Sequence, residues 1–154
     1  MAETHSGTKG KLEAAGSALF ALQFIQAHAV RSVDQAIERA HETGLTGFEI
    51  LLRLAKLHPD GASVRYLSDQ VVVSPSRVSR VAEDLVRRGL LERAASPHDG
   101  RLALVRLTDD GRGELAAMEA TYLNAVGEHL ADHLTPDQVE ALTEIGRALG
   151  APHC

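Results

Sequence analysis

The sequence has a single cysteine, Cys154, no tryptophan, and only 3% aromatic residues. A lone thiol excludes an intrachain disulfide, and an oxidising compartment is neither required nor suggested. With so few aromatics, any core has to be built from Leu, Val, Ile and Ala, a composition typical of helical proteins. No apolar run reaches the roughly 18 residues that a membrane span requires, and the opening residues, MAETHSGTKGKLEAAG, lack the order of a secretory signal. A cytoplasmic protein with no membrane partner is the expectation. A Gly-rich phosphate loop, a nucleophile elbow and a paired-carboxylate pattern are also missing, so neither enzyme activity, a catalytic residue nor a cofactor is expected. What is present, 154 residues with 44% hydrophobic content, suffices for one domain of ordinary size.

The informative stretch runs from Ser63 to Leu107: SVRYLSDQVVVSPSRVSRVAEDLVRRGLLERAASPHDGRLALVRL. Its order is a short helix, a turn, a second helix opened by Ser74-Pro75, and two short strands around a polar tip. Ser74 suits an N-cap whose hydroxyl accepts from a free backbone N–H, and Pro75 suits the first helical position, where a missing N–H costs nothing. At about 100° per residue, Val78, Val81, Ala82 and Leu85 gather on one face, while Ser76, Arg80, Glu83 and Arg87 point the other way, flanked by Arg77 and Asp84. Gly89 supplies the stop. Such a face suits the DNA major groove: Arg donates in bidentate fashion to guanine, and Ser74, Ser76, Ser79 and the helix N-terminus can hold phosphates. A solvated amphipathic helix would show the same pattern, so the helix alone does not decide.

The segment that follows does more. Leu91 to Ala94 and Leu102 to Leu107 have strand character, and Ser96-Pro97-His98-Asp99-Gly100 between them is a turn by composition. Many tight hairpins carry an Asp-Gly turn and bind nothing. A hairpin bearing Arg93, Arg101 and Arg106 directly after a basic helix, however, resembles the wing of a winged helix-turn-helix, with Asp99 and Arg101 at a tip that lies against the DNA backbone or enters the minor groove. The net charge of −5 is no objection. Residues 62–107 hold eight arginines against five acids, a balance of +3, leaving −8 elsewhere. Positive field is concentrated where phosphates would sit, and the rest of the chain repels DNA.

Taken in order, Leu45-Thr46-Gly47-Phe48-Glu49-Ile50-Leu51, Ser74-Pro75-Ser76-Arg77-Val78-Ser79-Arg80, Leu85-Val86-Arg87-Arg88-Gly89-Leu90-Leu91, Asp99-Gly100-Arg101 and Leu107-Thr108-Asp109-Asp110-Gly111 resemble the MarR family of bacterial transcriptional regulators across about residues 12–149. The chain departs from the pattern at Gly100, where many relatives carry another Arg, and at Tyr66-Leu67-Ser68. The resemblance implies a mainly α fold with a small β-hairpin wing, and a triangular homodimer whose terminal helices interlock. It also implies a site for a small molecule or an oxidant between the winged lobe and the dimerisation region. Twofold symmetry would call for a pseudo-palindromic operator in double-stranded DNA, with half-sites about 34 Å apart.

The remaining segments fit four regions: a disordered tail over 1–10, a dimerisation helix within 11–44, the winged lobe over 45–107 and C-terminal dimerisation helices over 108–150. Leu12 to about His41 reads as one helix too long for so small a lobe to cover. Thr46 and Glu49 form a capping-box pattern, Ser63 and Thr108 are further N-caps, and Thr135 to Gln138 is a second box with Pro136 at the first position. The helix after the wing is expected to reach about His133. An aromatic or carboxylic effector is expected at His28 and Arg31, beside Phe24 and Phe48, its binding releasing a repressor from DNA. The alternative for His28 and Arg31 is a solvated strip. His129 and His133 stand at i and i+4, as two zinc ligands would, but no third ligand follows from the spacing, so no metal is assigned and a metal-responsive regulator or metal-dependent enzyme is the weaker reading. Cys154 as a thiol sensor is weaker still, because it stands outside any basic surrounding.

Overall fold

The computed structural model describes residues 3–95 and 103–150. The expected wing tip, with Asp99 and Arg101, and Cys154 lie outside the described residues. A long N-terminal helix comprises α1 (Glu3–Ile25), a π-helical segment (Gln26–Val30) and α2 (Arg31–His41). Then come α3 (Leu45–Leu57), α4 (Val64–Gln70), α5 (Pro75–Arg87), β1 (Leu91–Ala95), β2 (Ala103–Leu107), α6 (Asp109–His129), a 3-10 turn (Ala131–His133) and α7 (Pro136–Ala148). The mainly helical class with one antiparallel hairpin is as expected.

The core lies where α3, α4, α5 and the hairpin meet α2 and α6. Ile37, Ile50, Leu51, Leu54, Leu67, Val78, Leu85, Leu91 and Met118 are its fully buried side chains. Leu91 pairs with Leu107 and Glu92 with Arg106 across the hairpin, and Ala62 adds a bridge to Val105 that ties the strands to the start of α4. Aliphatic side chains do most of the filling, and Phe48 stacks on Tyr122 with ring centroids 4.7 Å apart.

Four local expectations need correction. Residues 3–10 belong to α1 rather than to a disordered tail. Helix α6 stops at His129, where Leu130 leaves helical geometry at φ −138°, so His129 and His133 do not share one helix face. Ser74 caps α5 by backbone position only: its hydroxyl faces that of Ser76 at 3.2 Å instead of a backbone N–H. The Thr46–Glu49 box does not form, because α3 starts two residues earlier than that cap would place it, after Gly44. Thr46 is then already inside the first turn and buried, and the free Leu45 N–H donates to Asp34 Oδ1 at 2.7 Å. A Cβ on Gly44 would overlap that carboxylate, so glycine here makes room for a cap from another helix.

The other caps follow the local pattern. Ser63 Oγ accepts from Tyr66 N at 3.1 Å, and Thr135 and Gln138 form a complete capping box. Thr108 Oγ1 accepts from Gly111 N at 3.0 Å and donates toward the Gly89 and Leu90 carbonyls, which joins the end of the hairpin to the start of α6. The join is close: a Cβ on Gly111 would run into the Leu90 carbonyl oxygen. Gly111→Ala is therefore expected to lower unfolding free energy by about 1–3 kcal/mol through forced displacement of backbone. A urea midpoint unchanged from the parent would contradict the close approach.

Candidate nucleic-acid interface

Helix α5 divides as its sequence dictates. Val78, Ala82 and Leu85 are buried, Val81 is half-buried, and Ser76, Arg77, Arg80, Glu83 and Arg87 are exposed. Pro75 at the first turn and Gly89 at φ +75° bound the helix at each end. The outward face is thus set by burial of the opposite one.

The individual side chains differ. Arg80 is exposed and has no ion pair among the described residues. Arg87 pairs with Asp84 one turn back. Arg77 approaches Asp34 of α2, Nη2 to Oδ2, at 4.0 Å. Ser79 turns away from the outward face; it is half-buried and lines a crease of about 330 Å³ with Glu83 of α5, Arg65 of α4 and Arg93 of β1. In the hairpin, Arg106 is engaged by Glu92 at 2.7 Å, which neutralises it, while Arg93 stays exposed. Exposed cationic groups on the helix and hairpin, beside an exposed helix N-terminus, are able to contact phosphates and base edges.

The residues expected to hold a small molecule are not all brought together. The Phe24 and His28 rings lie against each other, centroids 4.2 Å apart and planes tilted by 35°, and line a groove of about 640 Å³ between the π segment and the α6–α7 corner. His129, His133, Gln138 and Leu142 face the same groove. Phe48 instead belongs to the core, and Arg31 is exposed outside the groove. The π segment accounts for part of this: its wider turn offsets the faces before and after it, which the even spacing of an α-helix does not anticipate. Although three imidazoles line one groove, no group of three His, Cys, Asp or Glu among the described residues is placed to hold a metal ion.

Asp34, His41 and Arg88 matter to this geometry and carried no local signal. His41 sits between Glu114 (Nδ1 to Oε1, 3.0 Å) and Thr121 (Nε2 to Oγ1, 2.8 Å) on α6, and Arg88 Nη2 donates to its carbonyl at 2.8 Å. These partners are 73, 80 and 47 residues away in sequence, beyond any periodicity.

A model described as MarR family matches residues 44–102, the span from the start of α3 to the residue before β2. Over that span the chain carries the MarR-family pattern. Over 130 residues it is 25% identical to the HTH-type transcriptional regulator MhqR of Bacillus subtilis (strain 168), covering 84% of this chain and 89% of that protein. The same fold occurs in Sco3205, a MarR family transcriptional regulator from Streptomyces coelicolor solved in complex with DNA, at TM-score 0.71 and 24% identity, covering 97% of this chain and 90% of that one. CouR from Rhodococcus jostii RHA1, solved bound to p-coumaroyl-CoA, aligns at TM-score 0.74 and 19% identity, covering 88% and 92%. A MarR-family winged helix is a DNA-binding module of transcription regulation, and α5 is its presented helix. Among the described residues, no helix is long and apolar enough to cross a membrane.

In α3, burial pushes the Glu49 carboxyl above its ordinary value, Arg53 opposes, and the Asp34 carboxylate adds in the same direction as burial. The protonated form is favoured by folding, so the charge of Glu49 subtracts stability as pH rises above 4.5, the usual value, through the raised folded one. Glu49→Gln is expected to be more stable than the parent at pH 7, with the difference vanishing below pH 4.5. Urea denaturation at several pH values reads this directly, and a constant difference at all pH would refute it.

Proposed function

We propose that the chain acts in the cytoplasm as a homodimeric repressor that reads a pseudo-palindromic operator with α5 and is released by a small aromatic or carboxylic ligand. The observation that carries the DNA reading is the split of α5: a fully buried Val78–Leu85 face behind an exposed Ser76–Arg77–Arg80 face. Arg80, exposed and free of ion pairs among the described residues, is positioned to donate to a guanine edge. Arg77, Ser74 and Ser76 stand beside it at the helix start, and Arg87 follows at its last turn. Asp99 and Arg101 would add wing contacts. The DNA complex of Sco3205 supports this reading.

Dimerisation rests on α1. From Ala14 to Val30 the sequence carries no Asp, Glu, Lys or Arg, yet Leu19, Phe20 and Phe24 of α1 are 58, 75 and 66% exposed. A helix apolar around its circumference is stable in water only when covered. Val139, Ile145 and Leu149, on and just after α7, are exposed as well, so a second chain can cover both surfaces at once. Covering also encloses the groove behind Phe24 and His28, turning an open surface into the mostly apolar pocket that suits an aromatic ligand. Imidazoles and Gln138 would bind its polar end. The p-coumaroyl-CoA bound by CouR supports an aromatic effector class. Such a ligand releases DNA only to the extent that it binds the released arrangement more tightly.

Sedimentation at micromolar concentration should show a dimer, and a monomer would remove the basis of the symmetric operator. With a duplex selected from a random library, Arg80→Ala is expected to weaken binding by about 1–3 kcal/mol and to relax preference at one base per half-site. Losses that are equal on selected and random duplex would assign Arg80 to phosphate instead. In a thermal-shift screen of benzoates and cinnamates, Phe24→Ala and His28→Ala should abolish any stabilisation seen with the parent, whereas Arg31→Ala should retain it. The reverse pattern would place the ligand elsewhere.

A further inference from the structure

Asp34 is on α2, outside the winged lobe, and its two carboxylate oxygens serve different elements. Oδ1 accepts the Leu45 N–H at the start of α3 at 2.7 Å, in a space that Gly44 leaves open. That bond, together with the packing of Val33 and Ile37 on either side in sequence, fixes the carboxylate against the scaffold. Oδ2 is turned to the guanidinium of Arg77 at 4.0 Å, with the two side chains 31 and 49% exposed. Arg77 is the outward arginine of α5 that the structure ties to another helix: Arg87 pairs within α5, and Arg80 has no ion pair among the described residues.

We propose that Asp34 is a positioning residue for Arg77, restraining the guanidinium from the α2 side so that it commits to a base edge rather than to any passing phosphate. The proposal rests on the DNA-reading role of α5 given above. An anchored carboxylate acts in two ways. It limits the rotamers of a long, flexible side chain before DNA arrives, which favours the geometry a base edge requires. It also competes with phosphate for the same guanidinium, which disfavours sequence-blind contact. Both effects raise the ratio of specific to non-specific affinity, and both disappear with the charge.

Asp34→Asn separates this role from capping, because the amide oxygen still accepts from Leu45 N while the charge is gone. The variant should unfold within a degree or two of the parent, bind random duplex more tightly, and lose discrimination for the selected duplex by about two- to fivefold, the range of an exposed ion pair. In an Arg77→Ala background the same substitution should leave discrimination unchanged, since its partner is absent. Equal loss of discrimination in both backgrounds would overturn the proposal and assign the effect to the general field of the carboxylate. Unchanged discrimination in the single variant would overturn it as well. Failure of the DNA reading itself looks different: the parent would then show no salt-dependent binding to any duplex, and Arg80→Ala would change nothing.

Discussion

A half-buried imidazole joins the end of α5 to α2 and α6. Glu114 can only accept, so His41 presents an Nδ1–H to it, and Nε2 in the neutral ring then accepts the Thr121 hydroxyl. The His41 carbonyl is taken by Arg88 just beyond the end of α5, and the Arg88 guanidinium lies 3.9 Å from the same Glu114 carboxylate. The last turn of α2, the face of α6 and the end of α5 therefore meet at one node. Their relative orientation follows from it, because Val33 and Ile37 of α2 and Leu115 and Met118 of α6 fill the space beneath. At the other end of α2, Asp34 caps α3. This short helix thus holds the lobe at both ends, and a displacement of α2 would be passed to α3 and α5 together.

The N-terminal helix changes character at the π segment. Before it, α1 is uncharged from Ala14 onward and largely exposed there; after it, α2 is amphipathic and packed. One continuous α-helix would keep a single apolar stripe through both parts. The wider turn at Gln26–Val30 instead lets Phe24 and His28 address the groove toward α7 while Val33 and Ile37 address the core. A chain that must bury one stripe internally and offer another externally needs such an offset, and a π turn supplies it without breaking the helix.

How much of this was legible in the sequence depends on the range of the interaction. The face of α5, the Ser63 and Thr108 caps and the Thr135–Gln138 box rest on residues within one turn of each other, and all are found where spacing places them. The false box at Thr46 and Glu49 has the right letters, yet Asp34, eleven residues away, reaches the free N–H first and moves the helix start. The end of α6 at His129 was not legible either: nothing in His129 to His133 breaks a helix by propensity, yet Leu130 leaves helical geometry. Phe48 has the apolar character of a pocket wall but stacks on Tyr122, a partner that no local pattern names.

Charge shows the same division between count and placement. The winged region has a surplus of arginine, but pairing removes much of it: Arg106 is neutralised by Glu92, Arg87 by Asp84, and Arg88 is turned inward to His41 and Glu114. The field that a phosphate backbone would meet among the described residues comes chiefly from Arg65, Arg80 and Arg93, with Arg77 partly screened by Asp34. Counterion release scales with the number of phosphates neutralised, so each pairing within the lobe subtracts from what these residues would gain on DNA of any sequence. In the reading proposed above, base edges would then carry a larger share of the binding, and the pairing that weakens sequence-blind contact would favour choice of sequence.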